Sequence, residues 1–179
     1  MKFLKLTIAS LLTSSALFAG TYNIDVSHSN VGFTVKHMMI TNVSGKFNDV
    51  AGTFEYDEKT NTLTSLSGEI IVASINTANE KRDTHLKADD IFDAEKFPKI
   101  EFKTTKIEDN AVYGDFTMKG VTKNIKLELE NGGVITDPKG NLRAGFELTG
   151  KISRKDFGIT WNKILETGGV TVGEEVKLQ

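Results

Sequence analysis

Short segments in which apolar and polar residues alternate dominate the chain. Val31, Phe33 and Val35 are apolar, and the residues between them are Gly and Thr. The same period of two recurs in four later segments, at residues 100–103, 112–118, 125–130 and 146–152. Because successive side chains of a strand point to opposite faces, this pattern predicts antiparallel strands with one buried and one wet face. Helical periodicity is almost absent, so we predict an all-β protein with one short helix.

Turn signals separate the alternating segments at intervals of about ten residues, which is typical of a sandwich or a barrel. They lie at Glu58 to Asn61, Asp109-Asn110, Lys119-Gly120, Asn131-Gly132-Gly133 and Asp137 to Asn141. The phase of the pattern also shifts by one residue between Phe47 and Phe54, and again between Val26 and Val31. A bulge, a corner of a curved strand or a plain loop would each explain such a shift.

One segment departs from the period of two. Residues 77–80 read Thr-Ala-Asn-Glu, which is a capping box with Thr77 as the capping residue. It predicts a helix that runs to Asp89 or Asp90, with Leu86 toward the protein and Asp83 toward water. Because further apolar residues follow at the helix exit, a lid or plug over one end of a barrel fits this composition.

The first residues predict an export signal. Lys2 and Lys5 precede an apolar run over residues 6–18, and small residues follow. This is the pattern of a signal peptide over residues 1–19 with cleavage after Ala19, and the run is too short for a transmembrane anchor. Residues 20–179 are then expected to form a single domain. With no Cys in the chain, neither a lipoprotein anchor nor thiol chemistry is expected.

The composition also argues against several classes of function. The formal net charge is −2 and no dense basic cluster occurs, so nucleic acid is not an expected partner. His28, His37 and His85 lack the paired spacing of a zinc site, and we predict no metal and no cofactor. Asp25, Ser27 and His28 do not form a plausible catalytic triad, because residues at odd spacings on a strand point to opposite faces.

A series of ordered motifs resembles one known family. It begins with His28-Ser29-Asn30-Val31-Gly32-Phe33-Thr34-Val35-Lys36-His37 and continues through Gly45-Lys46-Phe47, Gly52-Thr53-Phe54, Ser74-Ile75-Asn76-Thr77, Arg82-Asp83-Thr84-His85-Leu86, Phe97-Pro98, Lys119-Gly120-Val121-Thr122-Lys123 and Arg154-Lys155-Asp156-Phe157-Gly158-Ile159. Together these motifs resemble the signature of YceI-like proteins from about Tyr22 to Val176.

The resemblance implies a lipocalin-like antiparallel β-barrel of about eight strands, with a helix near one end and a location in the bacterial periplasm. It also implies a long amphiphilic molecule inside the barrel, such as a polyisoprenoid, an isoprenoid quinone or a fatty-acid derivative, and a homodimer in some members. The tail ends at Gln179, earlier than the usual last strand of the family, and residues 162–169 carry no family signature. Closure of the barrel is therefore expected to depend on residues 170–179.

A barrel of this size is either filled by its own side chains or wide enough for one slender ligand. The composition of 11 Phe against 3 Tyr and 1 Trp favours an apolar tail as that ligand. The residues predicted to line a ligand site are Val31, Phe33, Val35, His37, Phe47, Phe54, Phe102, Phe116, Met118, Ile125, Leu127, Phe146 and Leu148. His37, Asp83 and His85 are candidate partners for a polar head group.

Three functions follow from these observations. The first is a periplasmic, non-enzymatic carrier of a long-chain lipid. The second is a stress or protein-interaction barrel with a filled core, whose loops would do the work. The third is an enzyme that acts on the bound lipid, for which no catalytic residues are predicted. Trp161 is either part of a ligand wall or an ordinary core residue.

Overall fold

A computed structural model describes residues 19–166 and 168–179, so the predicted signal sequence lies outside the described residues except for Ala19. Eleven strands and one α-helix make up this part of the chain. Their bounds are β1 Ala19–Asn23, β2 Val31–His37, β3 Thr41–Phe47, β4 Val50–Asp57, β5 Thr62–Ile71, β6 Ile75–Asn76, α1 Glu80–Lys87, β7 Lys99–Glu108, β8 Ala111–Met118, β9 Val121–Thr136, β10 Leu142–Ser153 and β11 Val172–Leu178. Two short 3-10 turns occupy Val72–Ser74 and Arg154–Phe157.

The strands form one strongly curled antiparallel sheet in the order β1-β4-β5-β7-β8-β9-β10-β11-β2-β3-β6. The predicted fold class is confirmed, whereas the strand number is eleven rather than about eight. Two bends account for most of the difference. Asn48 and Asp49 separate β3 from β4, and the turn at Val72–Ser74 separates β5 from β6.

Hydrogen bonds continue across these bends and close the barrel. Phe47 pairs with Ile75 and Val50 pairs with Ile70. Between these pairs, Asn48 N donates to Ser74 O at 3.2 Å and Ile71 N donates to Asp49 O at 3.0 Å. The bent strands β3–β4 and β5–β6 are therefore each one continuous wall element. The phase shift between Phe47 and Phe54 is a corner of the kind that curved barrel strands need.

The last strand, on which closure of the barrel was expected to depend, is present. β11 pairs with β10 through residues 175–178 and with β2 through residues 33–37. Residues 170–179 thus join the end of the sheet to its beginning. Beyond this strand, Gln179 N donates to Gly32 O at 3.0 Å and Gly32 N donates to Gln179 O at 2.7 Å.

One predicted turn is wrong. Asn131, Gly132 and Gly133 lie inside the long strand β9, which pairs with β10 on both sides of them. The register shifts by one residue opposite Gly145 and Phe146, and Gly133 has a φ of 92°, which glycine adopts readily. The two glycines therefore form a β-bulge that bends the strand, because the chain reverses only later, at residues 137–141.

The predicted capping box is also wrong, by two residues. The helix α1 begins at Glu80, and its N-cap is Asn79, whose side-chain oxygen accepts from Arg82 N at 3.0 Å. Thr77 is buried instead, and Asp83 accepts from its backbone N–H at 2.9 Å. Asp83 therefore faces the protein rather than water. The helix ends at Lys87, and residues 88–97 continue as turns.

The two ends of the barrel differ in what closes them. At the turn end, the tight turns at residues 58–61, 109–110 and 137–141 meet. At the helix end, α1 and residues 88–97 lie over the barrel, and the β2–β3 turn and residues 154–171 complete the rim. Leu86, Ile91 and Phe92 pack against the core that lies below them. The helix is thus the lid that the sequence suggested.

The wall of the barrel has one stretch without backbone pairing. Residues 142–149 of β10 pair with β9 alone, and β1 pairs with β4 alone. Residues 24–30 lie across this stretch. We call the region between residues 142–149 and residues 23–30 the side cleft.

Candidate ligand cavity

The side chains of the barrel leave an internal cavity of about 1730 Å³. It runs from the helix end into the middle of the barrel and reaches the side cleft. All thirteen residues predicted to line a ligand site line it, namely Val31, Phe33, Val35, His37, Phe47, Phe54, Phe102, Phe116, Met118, Ile125, Leu127, Phe146 and Leu148. Their position is therefore observed, while their contact with a ligand stays a prediction.

Two of these aromatic rings occupy space that is free because the neighbouring strand has a glycine there. A Cβ on Gly114 would lie 2.3 Å from Phe102 Cζ, and one on Gly45 would lie 2.5 Å from Phe33 Cζ. Each ring thus lies flat over the backbone of the adjacent strand. Any larger residue at Gly45 or Gly114 would push the ring into the cavity. The cavity therefore owes part of its width to residues that do not line it.

The turn end of the barrel is filled. Tyr56, Leu63, Val112 and Leu129 are buried there in a compact cluster, which we call the turn-end cluster. The hydroxyl of Tyr56 is within hydrogen-bond distance of the side-chain oxygen of Asn61, at 3.0 Å. It also contacts the side-chain oxygen of Asn131. The cluster does not line the cavity, which reaches this end only along the side cleft, at Asp137 and Asn141.

The candidate head-group partners divide into two kinds. His37 and His85 line the cavity near the helix end, whereas Asp83 does not. The Asp83 carboxylate accepts from both the backbone N–H and the hydroxyl of Thr77. His85 Nε2 lies 3.1 Å from Asp90 Oδ2, and its ring packs edge-on against Trp161, with 4.9 Å between the ring centroids. Two of the three candidates remain available to a ligand.

Arg82 joins the helix to the rim of the cavity. Its Nε donates to Thr77 Oγ1 at 2.7 Å and its Nη2 donates to Thr77 O at 2.8 Å. Arg82 and Asp83 therefore both bind Thr77 rather than each other. Because Thr77 follows directly on β6, this arrangement fixes the start of α1 to the wall.

Arg154 is a functional residue that the sequence reasoning missed. It is buried at the helix end, lines the cavity, and burial lowers the pKa of its guanidinium. Its partners are backbone oxygens of the loop over residues 159–173, with distances of 2.8 Å to Gly173, 2.7 Å to Ile159, 2.8 Å to Trp161 and 3.3 Å to Val172. Arg154 directly follows strand β10 and continues the parity of its inward residue Ile152, and that signal could have identified a buried cation.

Trp161 lines the cavity and also packs against the larger of the two core clusters, and its backbone oxygen is one of the Arg154 acceptors. Its position is compatible with both roles that the sequence left open, and its contact with a ligand stays a prediction.

Charged side chains bridge the side cleft. Arg143 Nη1 lies 3.0 Å from Asp25 Oδ2 and its Nε lies 3.1 Å from Asp137 Oδ2. His28 contacts Asp25 at 2.9 Å through Nδ1, and this hydrogen bond lowers the pKa of Asp25. The backbone N–H of Asn141 and further bonds, including one from Arg143, lower the pKa of Asp137 to about 2. The carboxylates of Asp25 and Asp137 therefore stay ionised at neutral pH.

The described residues include no group of three or more His, Asp or Glu side chains arranged to hold a metal ion. The hydroxyl of Ser27 makes no hydrogen bond to His28, whose ring is bonded to Asp25. Within residues 19–166 and 168–179, no helix has the length and apolar character needed to cross a bilayer.

Comparison with known proteins agrees with this geometry. Residues 22–179 match the model of the YceI-like domain. UPF0312 protein SA2479 of Staphylococcus aureus (strain N315) is 39% identical over 159 residues, which cover 88% of this chain and 93% of that protein. The crystal structure of the Campylobacter jejuni YceI protein is 35% identical, with a TM-score of 0.65 over 88% of this chain and 97% of that one.

Two more distant structures share the fold alone. Burkholderia cenocepacia BcnA is 21% identical with a TM-score of 0.68, over 87% of this chain and 95% of that one. A polyisoprenoid-binding domain from Saccharophagus degradans is 12% identical with a TM-score of 0.54, over 83% of this chain and 88% of that one. The family match extends over nearly all of the described residues. This chain belongs to the YceI-like family.

Proposed function

We propose that this protein holds the tail of a long-chain amphiphilic lipid in its barrel, and that it carries or buffers this lipid in the periplasm without altering it. The observation that carries the proposal is the cavity of about 1730 Å³. Pockets for drug-sized ligands measure roughly 300–1,000 Å³. A cavity above that range favours a longer ligand.

The chemistry of the wall favours a hydrocarbon or isoprenoid tail. Phe, Leu, Ile, Val and Met side chains supply most of the cavity lining between its two ends, and none of these has a donor or acceptor for a polar molecule. Each methylene group moved from water into such a cavity contributes about 0.8 kcal/mol. Affinity would then rise steeply with tail length. The structural relative that is a polyisoprenoid-binding domain supports the proposal at the level of fold.

The head group is expected at the helix end, beside His37 and His85. Both rings line the cavity where the apolar wall gives way to the polar side chains Asn79, Lys81 and Arg82. Replacing His37 and His85 by Ala should lower lipid occupancy. Unchanged occupancy in the double variant would remove these residues from the proposal.

Extraction of the purified protein with organic solvent, followed by mass spectrometry, tests the proposal directly. We expect a co-purifying molecule with a long apolar tail. The variant Ile125→Trp places a large ring in the cavity and should reduce its amount, while Ile135→Trp, on the exposed outer surface, should leave it unchanged. Consistent absence of any lipid from native preparations would contradict the proposal, and a chemically altered lipid would favour the enzyme instead.

A further inference from the structure

Four large apolar side chains lie exposed together on the rim at the helix end. Met38, Met39 and Ile40 form the β2–β3 turn, and Ile164 lies on the neighbouring loop. The two isoleucines are 84% and 86% exposed. Single exposed apolar residues are ordinary on protein surfaces, but a group of them on adjacent tips is a mark of an interaction site. We call these four residues the rim patch.

The two tips are in contact. Met38 N donates to Thr171 O at 2.7 Å, and Met39 lies over Gly169, where a Cβ would be 3.3 Å from Met39 Cγ. Ile164 pairs with Val170 across the same loop. The rim patch is therefore one surface, formed by two segments that hydrogen bonds hold side by side.

The backbone conformation of the β2–β3 turn does not favour the methionines that occupy it. Met38 and Met39 have φ values of 49° and 65°, a left-handed conformation that Asn and Gly adopt most readily in two-residue hairpins. Both methionine side chains are about half exposed, so full burial does not explain them. Conformational preference and packing would both select other residues here, and strain of this kind marks functional sites. Exposed methionine is also an adaptable apolar group that suits a fluid partner.

The position of the rim patch points to its partner. Both tips extend directly from cavity-lining residues: His37 precedes Met38, and Trp161 and Thr171 flank the loop that carries Ile164. A lipid that leaves the cavity at this end would emerge between them. A surface that touches a bilayer here would allow an apolar tail to pass without crossing water.

The charges next to the rim patch differ from those of the side cleft, which has exposed apolar residues of its own. Lys36 and Lys163 are exposed and adjoin the two tips in the sequence, with Glu166 as the nearby acid, whereas the exposed acids Glu80, Asp89, Asp90 and Glu95 of the helix end lie on α1 and the turns that follow it. At the side cleft, by contrast, Asp25, Asp137 and Glu147 outnumber Arg143 among the lining residues. Basic groups beside an apolar surface favour anionic bilayers, and acidic groups oppose them.

We infer that the rim patch docks this protein on the surface of an anionic lipid bilayer, with the helix end of the cavity facing the membrane. This deepens the proposed function by assigning the place where the lipid enters and leaves. Vesicle binding does not depend on what the cavity contains. Failure of the docking surface and failure of the carrier proposal are therefore separate results.

Flotation with vesicles tests the docking surface. Vesicles of phosphatidylcholine with phosphatidylglycerol are compared with vesicles of phosphatidylcholine alone, using protein whose N-terminus is shown by mass spectrometry to be the same in all variants. Met38→Asn combined with Met39→Gly supplies the residues that the turn prefers, so its Tm should equal or exceed that of the wild type. Its partitioning onto the mixed vesicles should nevertheless fall about tenfold. Ile135→Thr, on the exposed surface of the turn end, is the matched control and should bind as the wild type does.

A second pair of variants tests the charges. Lys36→Gln with Lys163→Gln should weaken binding to the mixed vesicles and leave the weaker binding to phosphatidylcholine alone unchanged. A wild type that floats with neither kind of vesicle overturns the inference, as does equal binding by the Asn-Gly variant. If light scattering shows a dimer that the Asn-Gly variant dissociates while vesicle binding is unchanged, the rim patch contacts a second copy instead, and the inference is again overturned.

Discussion

The two ends of the barrel use the same alternating strands in opposite ways. At the turn end, Tyr56 and Val112 are fully buried and their side chains meet across the barrel. Toward the helix end, inward residues such as Phe33 and Val35 are only half-buried, because they face the cavity. A filled core and an open cavity, which the sequence left as alternatives, therefore occur in one molecule. The turn-end cluster closes one end, whereas at the other end the larger core cluster, Arg154 and a short helix surround the cavity.

This difference predicts that deletions of side chains should cost more in the turn-end cluster than in the cavity wall. Tyr56→Ala should lower the free energy of unfolding by about 3–5 kcal/mol, since it opens a void in a packed cluster. Phe33→Ala should cost less than about 2 kcal/mol, because part of that ring already faces the cavity. Urea denaturation with unchanged slopes would measure both. Equal losses at the two sites would show that the cavity wall is as tightly packed as the turn end.

The rim at the helix end should depend on the hydrogen bonds of Arg154 as well as on packing. Arg154→Lys cannot reach all four backbone oxygens of the 159–173 loop, and we expect a loss of about 2–3 kcal/mol. The same change at the half-exposed Arg143 should alter stability by less than about 1 kcal/mol. Thermal and urea unfolding of the two variants would be compared. A neutral Arg154→Lys would mean that the loop holds its shape without the guanidinium.

Larger side chains should also destabilise the turn-end cluster more than the cavity wall. Val112→Phe overfills the turn-end cluster and should cost about 1–3 kcal/mol. Ile125→Phe projects into the cavity, so its effect on stability should be below about 1 kcal/mol, with a drop in co-purified lipid. Unfolding curves and extraction of the same samples provide both readouts. Similar destabilisation by the two substitutions would contradict the contrast.

The smallest effect concerns pH at the side cleft. The pKa of Asp137 is lowered to about 2 in the folded protein, against about 3.9 for Asp in an unfolded chain. Its ionised form therefore contributes stability above about pH 4, and that contribution is lost as the pH falls toward about 2. Asp137→Asn should lower Tm slightly at pH 7 and not at pH 2. Calorimetry over this range, with Asp109→Asn as the control turn variant, measures the difference, and a Tm gap independent of pH would rule out this linkage.

The inward face was predictable because a period of two assigns every residue of a strand to one side. For this reason Phe116 and Met118 were placed correctly without any structure. The strand number was not, since nothing local distinguishes the bend at Asn48 from a loop. The helix start was misplaced because Thr77 and Asn79 are both capping residues, and a tertiary contact of Thr77 with Arg82 and Asp83 decides between them.

The cavity itself could not be derived from the pattern. Whether inward side chains meet depends on the circumference of the barrel and on where glycines let rings lie flat. Gly45 and Gly114 set such positions through contacts between strands. Gly132 and Gly133 were mistaken for a turn because the same residue type serves turns and bulges. The inward position of Arg154 could have been predicted, because Arg154 has the same parity as the inward residue Ile152.

The pairing of β11 with β2 also has a consequence for folding. Most neighbouring strands around the barrel are also close in sequence, and β3–β6 and β1–β4 are further apart. The pair β11–β2 joins a strand near the start of the described chain to the strand near its end. Bringing such distant segments together carries a large loop-closure entropy, which slows folding. The barrel can therefore close only after synthesis of the whole chain. Until then β2 and β10 expose unpaired edges, and these are the segments through which nascent chains would associate wrongly.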